Sequence, residues 1–246
     1  MSFTLDEKLA IALALEAAGV DEIEAGTPAM DQREIEEIAA IGSALTKAEP
    51  IAWCRMTRAD VDAAIKTGLK RVNISIPLSY IQIRAKLKAD RSEALRRIRD
   101  VIPYAIDRGL RVAMGGEDSS RADAGFLLTA LEAAAQAGAH RFRFADTLGC
   151  MDPFAVCERF HQLRARFDLE LEFHGHNDLG LATANTLAAI RGGDDRHVRG
   201  LCSWFPLSQL HQRLESWTCL HGPGGNCFLL LCGLDCPEGC RRFDGG

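Results

Sequence analysis

No basic tract interrupts this chain of 246 residues. Its 29 lysines and arginines are outnumbered by 34 aspartates and glutamates, a net charge of −5 with a pI near 5.8. That balance speaks against a nucleic acid or an anionic membrane surface as partner. Long apolar runs are missing too: the longest late one, CFLLLC, is far short of the roughly 20 residues a spanning helix needs. The opening MSFTLDEKLAIALALEAAG carries Asp6, Glu7 and Glu16 and has no basic n-region, so it reads as an amphipathic helix, not a signal peptide. A cytoplasmic protein with no membrane partner is expected. There is no G-x-S-x-G elbow and no G-x-x-x-x-G-K-[ST] loop, which removes the commonest serine hydrolases and phosphate-loop enzymes.

Cysteine is sparse over residues 1–193, with only Cys54, Cys150 and Cys157, while residues 194–246 hold six. The first set suits thiols used as small buried hydrophobes in a reducing compartment. Cys54 is read in the same way, because no basic partner for it can be identified.

Apolar residues make up 47% of the chain and charged residues 26%, enough for a sizeable core. Four segments share one grammar: AAGVDEIEAG (17–26), KTGLKRVNIS (66–75), DRGLRVAMGG (107–116) and QAGAHRFRFA (136–145). Each is a helix end, a glycine suited to a left-handed cap, a few mixed residues, then a short strand. EPIAWCRM (49–56) and LELEFHGH (169–176) add two strands. Thr4 with Glu7 and Asp31 with Glu34 fit capping boxes, and Thr57, Asp90 and Asp152 fit N-caps. Pro103 should kink or break a helix over 91–109.

Alternating strands and helices predict an α/β fold with a parallel sheet and right-handed crossovers. An open doubly wound sheet and a closed (β/α)₈ barrel compete. No G-x-G-x-x-G follows the first strand, and polar residues end many different strands: Glu24, Arg55, Asn73, Glu117, Asp146 with Thr147, His174 with His176. That is the barrel habit. Six strands are counted where a full barrel has about eight, so the barrel is expected to be incomplete at both ends.

His174 and His176 stand two apart, so on a strand both face the interior. Paired imidazoles there can share one divalent ion, and can equally be hydrogen-bonded in place. Asn177 and Asp178 come next in the chain. Glu117, after a strand, is an acid or base candidate that Arg121 could orient; the alternative is an acidic first turn favoured by the helix dipole. Thr147 in FADTLG could reach a substrate, and Glu24 could point into the rim.

FTLDEKLAIA, WCRM, NISIPLSYIQIRAKL, EDSSRAD, RFADTLG and HGHNDLGLATANTLAAIRGG, in this order, resemble the isopropylmalate synthase-like acyltransferases. These are divalent-metal TIM-barrel enzymes. Within them, WCRM and SIPLSYIQIRAKL lean toward the homocitrate synthases of the nitrogen-fixation type. The resemblance runs over residues 2–193. It implies a Claisen-type condensation of acetyl-CoA with 2-oxoglutarate, forming homocitrate for the nitrogenase iron–molybdenum cofactor; isopropylmalate or citramalate synthesis and an inactive remnant are the alternatives. It implies a homodimer and a divalent metal held by His174 and His176. It gives Glu24, Arg55 and Thr147 to oxo-acid binding, Glu117 and Thr147 to catalysis, and Asn177 and Asp178 to support of the ligands. The family's first-strand Arg-acid-Gln motif would fall before Met1. In place of its NGLGERAGN-like stretch stands DDRHVRGLCSWFPLSQLHQRLESWTCLHGPGGNCF.

Residues 1–193 contain 35 alanines and residues 194–246 none, where a uniform rate would give roughly ten. The chain thus divides into two regions: 1–193, a partial barrel domain, and 194–246, an atypical Cys-rich tail. Cys219, Cys227, Cys232, Cys236 and Cys240 lack a paired C-x-x-C, which argues against a zinc ribbon. The abrupt break favours a reading-frame shift near residue 193. An intact peptide covering 192–213 from the native source would overturn that expectation.

Overall fold

In a computed structural model, residues 3–193 are described in full, and beyond them the backbone of strands at 198–202, 217–221 and 227–231. The cysteine-module and frame-shift expectations for 194–246 lie outside the residues whose side chains are described.

The repeating grammar becomes a repeating strand and helix. Strands β1 (Glu22–Gly26), β2 (Glu49–Arg55), β3 (Arg71–Pro77), β4 (Arg111–Glu117), β5 (Arg141–Asp146) and β6 (Glu170–Gly175) pair in parallel and in sequence order. A seventh, β7 (Val198–Cys202), pairs with β6, and β8 (Trp217–His221) and β9 (Cys227–Leu231) form an antiparallel pair. Periodicity gives no strand signal in that region, so these three are additions to the expected six.

Helices α1 (Leu5–Ala17), α2 (Gln32–Ala44), α3 (Arg58–Lys66), α5 (Arg91–Ile106), α6 (Ala124–Gln136), α7 (Pro153–Arg166) and α8 (Ala182–Gly192) accompany the sheet. Between β3 and α5 lies a short helix α4 (Tyr80–Gln82) that runs on as a π-helix, Ile83–Leu87. Gly19, Gly68, Gly109 and Gly138 all have positive φ, between 78° and 95°, where each turns a helix end toward the next strand. The Thr4–Glu7 capping box closes in both directions. Asp31 caps α2, but Glu34 instead bonds Lys8 at 2.7 Å, a long-range ion pair outcompeting the local return bond. Thr57, Asp90 and Asp152 cap as expected. α5 continues three residues past Pro103 and ends at Ile106.

Alternation along the strands sends two sets of side chains to opposite faces. Val72, Ile74 and Ile76, Phe142 and Phe144, and Leu171 and Phe173 are buried under the helices. Phe160 of α7 meets Phe144 and Phe173 edge-on, centroids 5.8 and 5.7 Å apart. Truncating such a residue to Ala costs about 3–5 kcal/mol.

The opposite face carries ion pairs that cross the sheet. Arg141 Nη1 bonds Glu22 at 2.6 Å, and Arg143 Nη1 bonds Glu24 at 2.7 Å, joining β5 to β1. These strands stand four places apart, about 19 Å across a flat sheet at 4.8 Å per strand. Bonds of hydrogen-bond length therefore require a curled wall. The result is an incomplete (β/α) barrel of parallel strands.

Candidate active site

The C-terminal ends of the strands enclose a cavity of about 310 Å³. Its wall follows from alternation: Trp53 comes from β2, Ser75 from β3, Glu117 from β4, Arg143 and Ala145 from β5, and His174 from β6. Thr147 and His176, one residue beyond β5 and β6, complete the rim, and Lys86 reaches in from the π-helix. A pore-facing rim built from many strand ends is where barrel enzymes place their chemistry.

His174 and His176 point to one spot. Their Nε2 atoms are 3.2 Å apart. Two nitrogens ligating a single ion at about 2.1 Å lie about 3.0–3.4 Å apart for octahedral to tetrahedral angles, so the spacing fits a shared divalent ion. Burial, then the nearby Arg143 and His176, hold the His174 imidazolium well below its ordinary range, keeping the ring in its neutral, ligating form. Its Nδ1 is buried with no hydrogen-bond partner. Among the described residues no third His, Cys, Asp or Glu joins them in a metal-holding group. The pair supplies two donors of a set that water, substrate or other residues would fill.

Thr147 is anchored from behind. Its Oγ1 accepts the Asp118 N–H at 2.8 Å, which leaves its own hydroxyl proton to donate. Asp118, fully buried with φ of 56°, accepts from Ser79 Oγ and from Arg121 through Nε and Nη2 at 2.8 and 2.5 Å. Arg121, a candidate to orient Glu117, holds Asp118 instead. Glu117 is ion-paired with Lys86.

Asp146, also fully buried, accepts the Cys150 and Met151 N–H groups at 3.2 and 3.0 Å and so closes the loop after β5. Gly149 of that loop has φ of 56°, and a Cβ there would lie 2.7 Å from the His176 carbonyl oxygen. The two loops carrying Thr147 and His176 are thus in backbone contact.

Two expected pocket residues are not cavity-lining. Arg55 turns outward, its Nε and Nη2 on Asp60 at 2.9 and 3.0 Å, because Asp60 in the first turn of α3 offers a bidentate partner five residues away. Glu24 lies partly buried inside the barrel on Arg143, away from the cavity lining, with its Oε1 left without a partner. Asn177 is exposed and accepts the Ala182 N–H at 3.1 Å, at the first residue of α8; Asp178 is exposed beside Gly149. Neither bonds an imidazole. Trp53, Ser75, Lys86 and Arg143 line the cavity without having been expected there. Period-two alternation back from Thr147 could have found Arg143; Lys86 had no local signal. Cys54 is fully buried, where burial pushes its thiol far up, as suits packing and not nucleophilic attack.

Family and structural comparisons agree with this architecture. The HMGL-like family model matches residues 1–200. The chain belongs to the HMGL-like family. It is 47% identical over 191 residues to homocitrate synthase 1 of Nostoc sp., covering 78% of this chain and 51% of that protein. It is 40% identical over 191 residues to 2-isopropylmalate synthase 2 of Caldanaerobacter subterraneus, covering 78% and 50%. The chain therefore spans about half the length of the curated relatives it matches. Among solved structures, the HMG-CoA lyase of Bacillus subtilis superposes with a TM-score of 0.67 at 18% identity, covering 92% of this chain and 76% of that one, a likeness of fold. Among the described residues, no helix is long and apolar enough to cross a membrane.

Proposed function

We propose that this chain carries the condensing site of a homocitrate synthase, an acyltransferase joining acetyl-CoA to 2-oxoglutarate in the cytoplasm as a homodimer, for nitrogenase cofactor assembly. The observation that carries the reading is the convergence of the His174–His176 pair with Glu117 and Thr147 in one rim cavity. It occurs in a chain 47% identical to a homocitrate synthase.

His174 and His176 would hold a divalent ion, with Asn177 and Asp178 shaping the turn after them. When bound, that ion polarises the keto carbonyl as a Lewis acid. Thr147 donates its hydroxyl proton to an oxygen of the oxo acid, because its own oxygen is already occupied by the Asp118 N–H. Glu117 takes a methyl proton from acetyl-CoA. The methyl carbon bonds to the keto carbon, whose oxygen gains a proton, and water cleaves the thioester to free CoA thiol. Arg143, fixed by Glu24 and Glu172, gives the cavity wall a rigid polar group whose charge those two carboxylates already balance.

The test is thiol release from acetyl-CoA. It should require both 2-oxoglutarate and a divalent ion, and stop on chelation. Equal rates with 2-oxoisovalerate or pyruvate would overturn the substrate choice in favour of isopropylmalate or citramalate synthesis. No release with any oxo acid would make this chain an inactive remnant. Sedimentation at micromolar concentration checks the dimer.

A further inference from the structure

Resting on the oxo-acid reading above, we infer that Lys86 is the residue that selects a second carboxylate on the substrate. In the substrate-free site it also holds Glu117 in an ion pair that such a substrate releases. The cations of the cavity wall are not equivalent. Arg143 is committed: its Nε bonds Glu172 at 2.5 Å and its Nη1 bonds Glu24 at 2.7 Å, neither carboxylate lining the cavity. Arg55 is turned to Asp60, outside the cavity. Lys86 differs from both. Its carboxylate partner, Glu117, itself lines the cavity, and its side chain is 53% exposed against 21% for Glu117.

An ammonium at an open rim can trade one carboxylate for another at little cost, since charge and hydrogen bonds are replaced in kind. A 2-oxo dicarboxylate brings that second carboxylate; a branched 2-oxo monocarboxylate brings only methyl groups. The first moves Lys86 off Glu117 and leaves Glu117 free to take a proton. The second leaves the pair closed. Selection and activation are thereby joined in one exchange.

The backbone gives Lys86 its reach. It sits on the π-turn Ile83–Leu87, closed by Lys88 with φ of 52°. π-turns are rare overall and frequent at functional sites. The neighbouring Arg84 is engaged elsewhere, donating to Tyr80 Oη at 2.8 Å.

The experiment is calorimetric titration of the full chain, saturated with magnesium or manganese(II), with 2-oxoglutarate and with 2-oxoisovalerate, in the unaltered protein, K86M, K86Q and K86R. K86M and K86Q should weaken 2-oxoglutarate about two- to fivefold, the size of a half-exposed ion pair, since Lys86 gives up Glu117 to make the new one. They should leave 2-oxoisovalerate unchanged or tighter, while K86R should recover most of the loss. Unfolding midpoints should stay constant, as Lys86 is half exposed. Equal weakening of both acids, or no change in their ratio, would overturn the role of Lys86 alone. An unaltered protein that binds neither acid would overturn the oxo-acid reading and this inference with it.

Discussion

His140 shows how a single residue can set a pH dependence away from the cavity. Its Nδ1 lies 2.7 Å from the Val112 carbonyl oxygen and its Nε2 is buried without a partner. Burial, then Arg141 and Arg111, lower its pKa from 6.5 to about 4. The folded form therefore resists a proton that the unfolded chain accepts from about pH 6.5 downward. Stability contributed by the neutral ring is full above 6.5, declines as pH falls toward 4, and is lost below that. His140→Gln keeps a donor for Val112 and cannot titrate. Urea unfolding of both proteins across pH 4–7 should show the unaltered protein losing stability relative to H140Q as pH falls, with a slope difference of up to one proton. Parallel profiles would show that the ring charges freely in the fold.

At the scale of elements, the loops after β5 and β6 behave as one unit. Gly149 sits between them with a left-handed φ of 56°, and any Cβ meets the His176 carbonyl oxygen at 2.7 Å. Gly149→Ala must adopt a conformation that costs about 1–2 kcal/mol and push on the backbone that aims His176. The expected outcome is a loss of that order in urea unfolding, together with weaker cobalt(II) binding followed by its visible absorption. A stability loss with cobalt affinity unchanged would show that the loop does not position His176. The sequence carried the local part of this design. Positive-φ glycines, the caps at Thr57, Asp90 and Asp152, and the His-x-His spacing depend on residues within four of each other. What it hid is set across the barrel. Glu34 leaves its capping box for Lys8, Arg121 serves Asp118 and not Glu117, and Lys86 meets Glu117 only through a π-turn that no periodicity announces. Arg55 departs from expectation for the opposite reason, a nearby partner in Asp60 overriding the strand-end rule.

For the whole molecule, the question is what keeps the sheet curled. Inside it, Arg71, Arg111, Arg141 and Arg143 face Glu22, Glu24, Glu49, Glu170 and Glu172, four cations against five carboxylates. Arg141 is the hub, only 2% exposed, reaching Glu22 at 2.6 Å, Glu170 at 2.9 Å and Glu172 at 3.4 Å. It lies two residues upstream of the cavity-lining Arg143, so its loss tests the barrel apart from the chemistry. Arg141→Met removes the positive centre and leaves an excess buried carboxylate, at a cost of about 3–5 kcal/mol. Glu22→Gln alone should cost less, because Arg141 retains two other carboxylates. The double variant R141M/E22Q removes the excess charge as well. It should be more stable than R141M, a non-additivity that residues in one network show and independent ones do not. Urea unfolding of the four proteins measures this directly. If the two single losses simply add, the cross-barrel pairs do not act together, and the curl must come from the helices packed on the outer face.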